Sequence, residues 1–372
     1  MTLIQVLLVV LYLFLIVRNI KCYKDGKVTA TLTFLTALLS TFLLFATNSA
    51  DLDWNETQLD MSGYRTVYET YNVLEHPDFN MYYIFYSSMY WGQNMGMSFR
   101  LWWALMSIFA MLLVFLSCKI HKYSFTLFLV IFMAYYEFTF YSGLKFFYGL
   151  CLYLLAFGFL LHNSVKGKIT YAILTCLAGG FHCMYYFFLL FLVKPKRNFR
   201  LLIGSILLLT ILFTIVLRLS GSAISIMAPF FNSFENEHIN VYTSGIVNWG
   251  FYIAFILHVI MLYALRKIKL YKLKTGTYTQ SFESFYYLGL LSMLFFPFYT
   301  VALTFMRFLT SFSIVVMVAS SSFLNGSKEE RTLCVNMSLF VSISFLLMKL
   351  VASIGAPRGF VEVAILPFFD VF

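Results

Sequence analysis

Long uncharged apolar stretches alternate with short basic segments along most of the chain. Ten of these stretches are close in length to the roughly 20 residues that an α-helix needs to cross a bilayer. The pattern therefore predicts an all-α, polytopic integral membrane protein, with residues 1–372 in a single transmembrane domain. The predicted spans are 2–17, 29–47, 100–118, 123–142, 146–162, 199–219, 249–265, 282–300, 308–324 and 332–350.

The stretch 169–193 is as apolar as the spans, but basic residues flank it on both sides: Lys166, Lys168, Lys194, Lys196, Arg197 and Arg200. A single crossing would place one of the two basic groups outside. We therefore predict a helical hairpin that enters and leaves from the cytoplasmic side. The turn is expected at Gly179-Gly180, because glycine adopts turn conformations without steric cost.

Composition supports the membrane class: 61% of the residues are hydrophobic and 11% are charged. A soluble domain carries about 25% charged residues, so the soluble classes are excluded. In a soluble protein the net charge of +10 would suggest a nucleic-acid partner. Here 19 of the 26 basic residues and 4 of the 16 acidic residues fall on the predicted inner side, which leaves +15 inside and −5 outside. The charge thus indicates orientation, with both chain termini outside, and we expect no nucleic-acid partner.

Two long segments lie outside in this topology. The first, 48–99, is acidic and aromatic, and its second half, Met81–Met97, is apolar enough to resemble a span. A span there would move every later basic cluster to the outer side, so we predict an interfacial or partly re-entrant aromatic helix instead. The second outer segment is 220–248.

Seven cations fall on the outer side: Arg65, Arg100, Lys145, Arg218, Arg307, Lys349 and Arg358. Snorkelling of long side chains toward lipid headgroups explains such residues at helix ends. The alternative is anion binding, and the natural anion at that depth is a lipid phosphate or diphosphate, which arginine binds bidentately. The candidates for this role are Arg65, Lys145, Arg307 and Arg358.

Aromatic residues make up 20% of the chain, and many cluster on the predicted outer side. They form either an interfacial belt or a platform on which sugar rings pack, with nearby carboxylates binding the sugar hydroxyls. The candidate sugar-contacting residues are Asp60, Tyr64, Tyr68, Asp78 and Trp91.

Two further polar residues lie within apolar stretches. Glu137 is an intramembrane acid and hence a candidate functional residue, or it forms an ion pair with Lys145. His182 follows the glycine pair of the predicted hairpin. It is either a satisfied core residue or a general base.

The common motifs for nucleotide, zinc and acyl-enzyme chemistry are absent from the sequence: the P-loop, CxxC, HExxH and GxSxG. We therefore expect no cofactor and no metal. No internal repeat is evident, which disfavours a secondary transporter.

Several segments, in order, resemble EpsG-like proteins, which belong to the wider set of Wzy-type polysaccharide polymerases. They are DMSGYRTVYETY (60–71), LEHPDF (74–79), MGMSF (95–99), YSGLKFFYGL (141–150), LAGGFHCM (177–184), MRF (306–308) and ILPFF (365–369). The family more often has Arg-Gln where this chain has Lys145-Phe146.

The resemblance implies polymerisation of oligosaccharide repeat units at the outer face of the bacterial cytoplasmic membrane. The growing glycan passes from undecaprenyl diphosphate to the non-reducing end of the next lipid-linked unit, and undecaprenyl diphosphate leaves. The expected partners are the lipid-linked donor and acceptor and the bilayer. A chain-length regulator and a flippase are further candidate partners.

That chemistry needs cations for the leaving diphosphate and a base for the attacking hydroxyl. Arg65 and Arg307 are the first candidates for the catalytic cations, followed by Arg358 and Lys145. The candidate base is His182, and the candidate alternatives are Glu75 and Asp78.

Two other functions fit parts of the pattern. A flippase or transporter of lipid-linked oligosaccharides predicts polar residues along span interiors, whereas here most lie at loops and helix ends. A membrane O-acyltransferase of surface glycans needs a histidine with a nearby acid, and His182 on an inward-entering hairpin fits that role. A non-enzymatic scaffold leaves the outer cluster of arginine and aromatic residues without a purpose.

Overall fold

The computed structural model describes residues 3–46, 60–70, 72–76, 79–136, 143–162, 164–193, 199–220, 250–299 and 306–352. Every regular element in these ranges is helical. The α-helices are α1 (Leu3–Asp25), α2 (Ala30–Ala46), α3 (Asp60–Thr70), α4 (Tyr83–Asn94), α5 (Phe99–His121), α6 (Phe125–Ile131), α7 (Leu144–Leu161), α8 (Val165–Phe181), α9 (Phe199–Ser220), α10 (Gly250–Lys274), α11 (Gln280–Leu291), α12 (Phe296–Tyr299), α13 (Met306–Ser320) and α14 (Lys328–Ala352).

The all-α, polytopic membrane class predicted from the sequence is confirmed. Five of the described helical stretches are long and apolar enough to cross a membrane: Val6–Asp25, Phe99–His121, Leu144–Leu161, Met306–Phe323 and Lys328–Met348. Other apolar helices in the described ranges are shorter, or are interrupted by 3-10 turns. For example, the predicted span 282–300 comprises α11, a 3-10 turn at Ser292–Phe295 and α12. The total of ten spans stays a prediction.

The chain divides into two compact units: residues 1–188 with 314–372, and residues 189–313. In the first unit α7 is buried along most of its length and packs against α5 and α8. Glycines on α7 permit this closeness, because a Cβ at Gly158 would overlap the His121 ring of α5 and a Cβ at Gly149 would lie 3.1 Å from the Ala178 carbonyl of α8.

The ends of α1 and α14 are joined by polar contacts in the first unit. Lys328 Nζ lies 2.9 Å from Asp25 Oδ1, and Lys24 Nζ donates to Asn336 Oδ1 at 2.9 Å. Arg331 Nε donates to the Lys24 carbonyl at 3.2 Å. This region contains predicted cytoplasmic loops, so the contacts hold two of those loops together.

The predicted hairpin 169–193 contains a chain reversal, but the turn is not at the glycine pair. Helix α8 continues through both glycines and ends at Phe181, and a 3-10 helix, Cys183–Leu192, follows. The Tyr171 hydroxyl donates to the Phe188 carbonyl at 2.6 Å, so the chain folds back along α8 after His182. The turn predicted at Gly179-Gly180 was therefore wrong.

The glycine pair has a packing role instead. A Cβ at Gly180 would lie 2.6 Å from the Ile84 side chain, and a Cβ at Gly179 would overlap the Tyr186 ring. Glycine lets α4 approach α8 closely at this point. That the hairpin is re-entrant stays a prediction.

In the second unit, His258 on α10 forms a buried hydrogen-bond network. Its Nδ1 lies 2.9 Å from the Tyr299 hydroxyl, and its Nε2 lies 2.8 Å from Ser292 Oγ. Ser292 Oγ donates to the Gly289 carbonyl at 2.6 Å, so it accepts from Nε2–H, and Tyr299 donates to Nδ1. The network joins α10 to the break between α11 and α12.

Candidate functional site

A buried lysine lies where α3, α4 and α7 meet. Lys145, in the first turn of α7, is 9% exposed, and its Nζ donates to the Tyr86 hydroxyl at 3.0 Å. Among the described residues, four aromatic rings lie under Nζ, with centroids at 4.1 Å for Tyr82, 4.8 Å for Tyr86, 5.1 Å for Tyr64 and 5.6 Å for Phe85. We call these four rings the Lys145 cage.

The spacing of the aromatic residues builds this cage. Residues 82, 85 and 86 recur at the i, i+3, i+4 interval that places side chains on one helical face, although Tyr82 itself immediately precedes α4. Tyr64 comes from α3, and its ring lies 5.1 Å from the Phe85 ring. A buried ammonium needs compensation for lost hydration, and the negative faces of aromatic rings provide part of it.

His182 borders the cage. It is 8% exposed, and its ring centroid lies 5.4 Å from that of Tyr82 and 5.6 Å from that of Phe146. Its Nδ1 accepts from the Met184 N–H at 3.4 Å, which favours the neutral tautomer with the proton on Nε2. Two predicted site residues from distant parts of the sequence, Lys145 and His182, thus contact the same tyrosine ring.

Four contributors to this site were not predicted from the sequence: Tyr82, Phe85, Tyr86 and His76. The His76 ring stacks on that of Tyr86, with centroids 4.8 Å apart and planes 27° apart. His76 stood out in the sequence only as part of the family-like segment LEHPDF (74–79). Tyr82 and Tyr86 were indistinguishable from the other aromatic residues of an interfacial belt.

The predicted acidic and arginine candidates of the outer segment lie nearer the surface. Glu75 is exposed and accepts from Asn72 Nδ2 at 2.8 Å. Arg65 Nε lies 2.9 Å from Glu69 Oε1, and the two side chains are 39% and 47% exposed. An exposed pair of this kind contributes little stability, so Arg65 can exchange its carboxylate for another anion at low cost.

Asp60 and Tyr68 hold α3 in place. Asp60 begins α3, where a carboxylate is favoured by the helix dipole. Tyr68 is 5% exposed, and its hydroxyl donates to the Met97 carbonyl at 3.0 Å. Burial raises the pKa of Tyr68. Tyr64 and Tyr68, two of the candidate sugar-contacting residues, are both buried.

An apolar groove of about 420 Å³ lies on the other side of α4, between α4 and α5. Its lining from α4 includes Ile84, Ser87, Ser88 and Trp91, again at helical spacing. Trp91 is 63% exposed at this groove, and Leu105 and Trp102 line it from α5. Helix α4 thus separates an apolar groove from the Lys145 cage.

Arg307 is half-buried in the first turn of α13, in the second unit. Asp78, Glu137 and Arg358 fall outside the described residues. Within the described ranges, no group of three or more His, Cys, Asp or Glu residues is arranged to hold a metal ion.

The comparisons with known proteins give one match. No curated protein and no solved structure matches the chain. The sequence model of the EpsG family matches residues 36–367, which include the Lys145 cage, His182 and the α4–α5 groove. The chain therefore belongs to the EpsG family, a family of membrane proteins related to the Wzy-like polysaccharide polymerases.

Proposed function

We propose that the protein polymerises oligosaccharide repeat units carried on undecaprenyl diphosphate, at the outer face of the bacterial cytoplasmic membrane. The observation that carries this proposal is the joint placement of a buried cation, Lys145, and a histidine, His182, against one ring in a member of the EpsG family. In the topology predicted from the charge distribution, both chain termini lie on the outer side of the membrane.

The proposed reaction has two demands that these residues meet. A hydroxyl of the acceptor sugar attacks the anomeric carbon of the donor glycan, and the bond from that carbon to the diphosphate oxygen breaks. Lys145 stabilises the negative charge that develops on the leaving diphosphate. The neutral imidazole of His182 takes the hydroxyl proton on Nδ1, which exchanges its 3.4 Å contact with the Met184 N–H for the hydroxyl.

The surfaces of α3 and α4 suit the rest of such a substrate. The α4–α5 groove is apolar and fits part of a lipid tail, with Trp91 at its exposed edge. Glu75 and Asp60 are proposed to bind sugar hydroxyls, together with Asp78. Tyr64 and Tyr68 are proposed to support the sugar site from beneath, because both are buried.

The other predicted cations complete the proposal. Arg65 binds a substrate phosphate after exchanging its contact with Glu69. Arg307 and Arg358 are proposed as further diphosphate ligands, and Glu137 as a partner of Lys145. No metal or cofactor takes part in the proposed reaction. A chain-length regulator and a flippase are proposed partners.

The test is lipid and glycan analysis of cells that carry a deletion, complemented with wild-type, Lys145→Gln or His182→Ala protein at matched membrane levels. We expect single repeat units on the lipid carrier at the outer face and no long chains in the deletion and in both variants. Arg100→Gln removes an exposed outer-side cation as a control and should restore long chains.

Two outcomes would overturn the proposal. Loss of translocated single units would indicate a flippase. Long chains of normal length that lack acyl groups would indicate an O-acyltransferase.

A further inference from the structure

Tyr82 lies between the two groups that the proposed reaction needs. Its ring centroid is 4.1 Å from Lys145 Nζ and 5.4 Å from the centroid of the His182 ring. We propose that Tyr82 is a positioning residue that holds Lys145 and His182 in one site. This inference rests on the proposed function, and the contacts themselves are independent of it.

The contact with Lys145 is the closest of the four in the cage. The ammonium lies over the ring at 4.1 Å from the centroid, against 4.8 to 5.6 Å for the other three rings. Attraction between a cation and the negative face of a ring is strongest at short distance and in the absence of water. A lysine side chain is flexible, so this contact restricts where its charge lies.

The contact with His182 restricts the second group. His182 follows the last residue of α8 and has an extended backbone, with φ −149°, so its ring is not packed within a helix. The ring instead contacts the rings of Tyr82, at 5.4 Å, and of Phe146, the neighbour of Lys145 in sequence, at 5.6 Å between centroids. Both Tyr82 contacts depend on the ring and neither requires its hydroxyl.

The experiment replaces Tyr82 with phenylalanine and then with mono-, di- and trifluorophenylalanine in the full-length protein. Fluorine withdraws electron density from the ring face and leaves the shape of the ring nearly unchanged. Packing is therefore preserved while the attraction to Lys145 falls. We expect Tyr82→Phe to retain most of the polymerisation rate, and the trifluoro form to lose about tenfold, in steps along the series.

A second measurement reports on Lys145 without reference to activity. Labelling of Lys145 by a water-soluble amine reagent, followed by peptide mass spectrometry, should become several-fold faster along the same series. The same fluorinated series at Tyr83, the adjacent residue at 39% exposure, is the matched control and should change neither quantity.

The outcomes separate the two proposals. If both the rate and the labelling of Lys145 are constant along the series while wild-type protein polymerises, the positioning role of Tyr82 is overturned and the proposed function stands. If labelling rises along the series and wild-type protein makes no polymer, Tyr82 positions Lys145 and the proposed function is overturned.

Discussion

Lys145 Nζ donates a hydrogen bond of 3.0 Å to the hydroxyl of Tyr86, a residue 59 positions earlier in the chain. The same tyrosine ring stacks on His76. This contact ties the start of α7 to the segment 60–99, which carries the first three of the family-like motifs.

Tyr86→Phe should therefore weaken the site while keeping its shape. The change removes the hydroxyl that accepts from the buried ammonium and retains the ring contacts. Loss of a hydrogen bond to a buried charged group costs about 1–3 kcal/mol, so we expect a lower thermal-unfolding midpoint in detergent and a lower polymerisation rate. Tyr90→Phe makes the same chemical change one turn further along α4 and should alter neither quantity; equal effects of the two variants would contradict this prediction.

Gly158→Ala should destabilise the first unit. A Cβ at this position on α7 would overlap the buried His121 ring, and backbone or ring must shift to admit it. Overpacking of this kind typically costs about 1–3 kcal/mol, measurable as a fall in the thermal-unfolding midpoint.

Gly204→Ala is the matched control for Gly158→Ala. Gly204 lies in α9, and a Cβ there would meet nothing within 4 Å. Because alanine favours helix more than glycine does, we expect a stability unchanged or raised by up to about 1 kcal/mol. A fall as large as that of Gly158→Ala would show that the close contact with His121 is not the cause.

His258→Leu should destabilise the second unit by leaving two buried hydroxyls, those of Ser292 and Tyr299, without their imidazole partner. The Tyr299 hydroxyl is then left unsatisfied, which costs about 1–3 kcal/mol, whereas Ser292 Oγ still donates to the Gly289 carbonyl. Tyr299→Phe alone should cost less, and the double variant should cost less than the sum of the two single variants, because both remove the same hydrogen bond. Additive changes in the unfolding midpoint would contradict a shared bond.

The predicted re-entrant hairpin is testable by labelling of single introduced cysteines. Val165, the first residue of α8, precedes the segment, and Val193 is its last residue; they are 77% and 68% exposed. In a background in which the native cysteines are replaced, Val165→Cys and Val193→Cys should both react with a membrane-impermeant thiol reagent from the cytoplasmic side. Reaction from opposite sides would show that the segment crosses the membrane.

The sequence predicted correctly the features that depend on short motifs or on hydropathy averaged over many residues. Hydropathy over about 20 residues predicts helical, membrane-spanning structure because every backbone polar group in lipid must be satisfied within its own segment. Short ordered motifs also indicated the EpsG family, which the family match confirms.

The sequence was less informative about close packing. The pair Gly179-Gly180 has the composition of a turn, yet both residues lie within α8, since what requires glycine there is the approach of α4 and Tyr186. His258 gave no signal, because its partners, Ser292 and Tyr299, become neighbours only when the helices pack.

The sequence by itself determined the fold class, the family and the candidates Lys145 and His182, because hydropathy, charge and short motifs are properties of the linear chain. Only the tertiary structure decided which aromatic rings surround Lys145 and that Tyr82 also contacts His182. The physical reason is that cation–π and ring contacts act over about 6 Å in space, between residues whose separation along the chain carries no information about their distance.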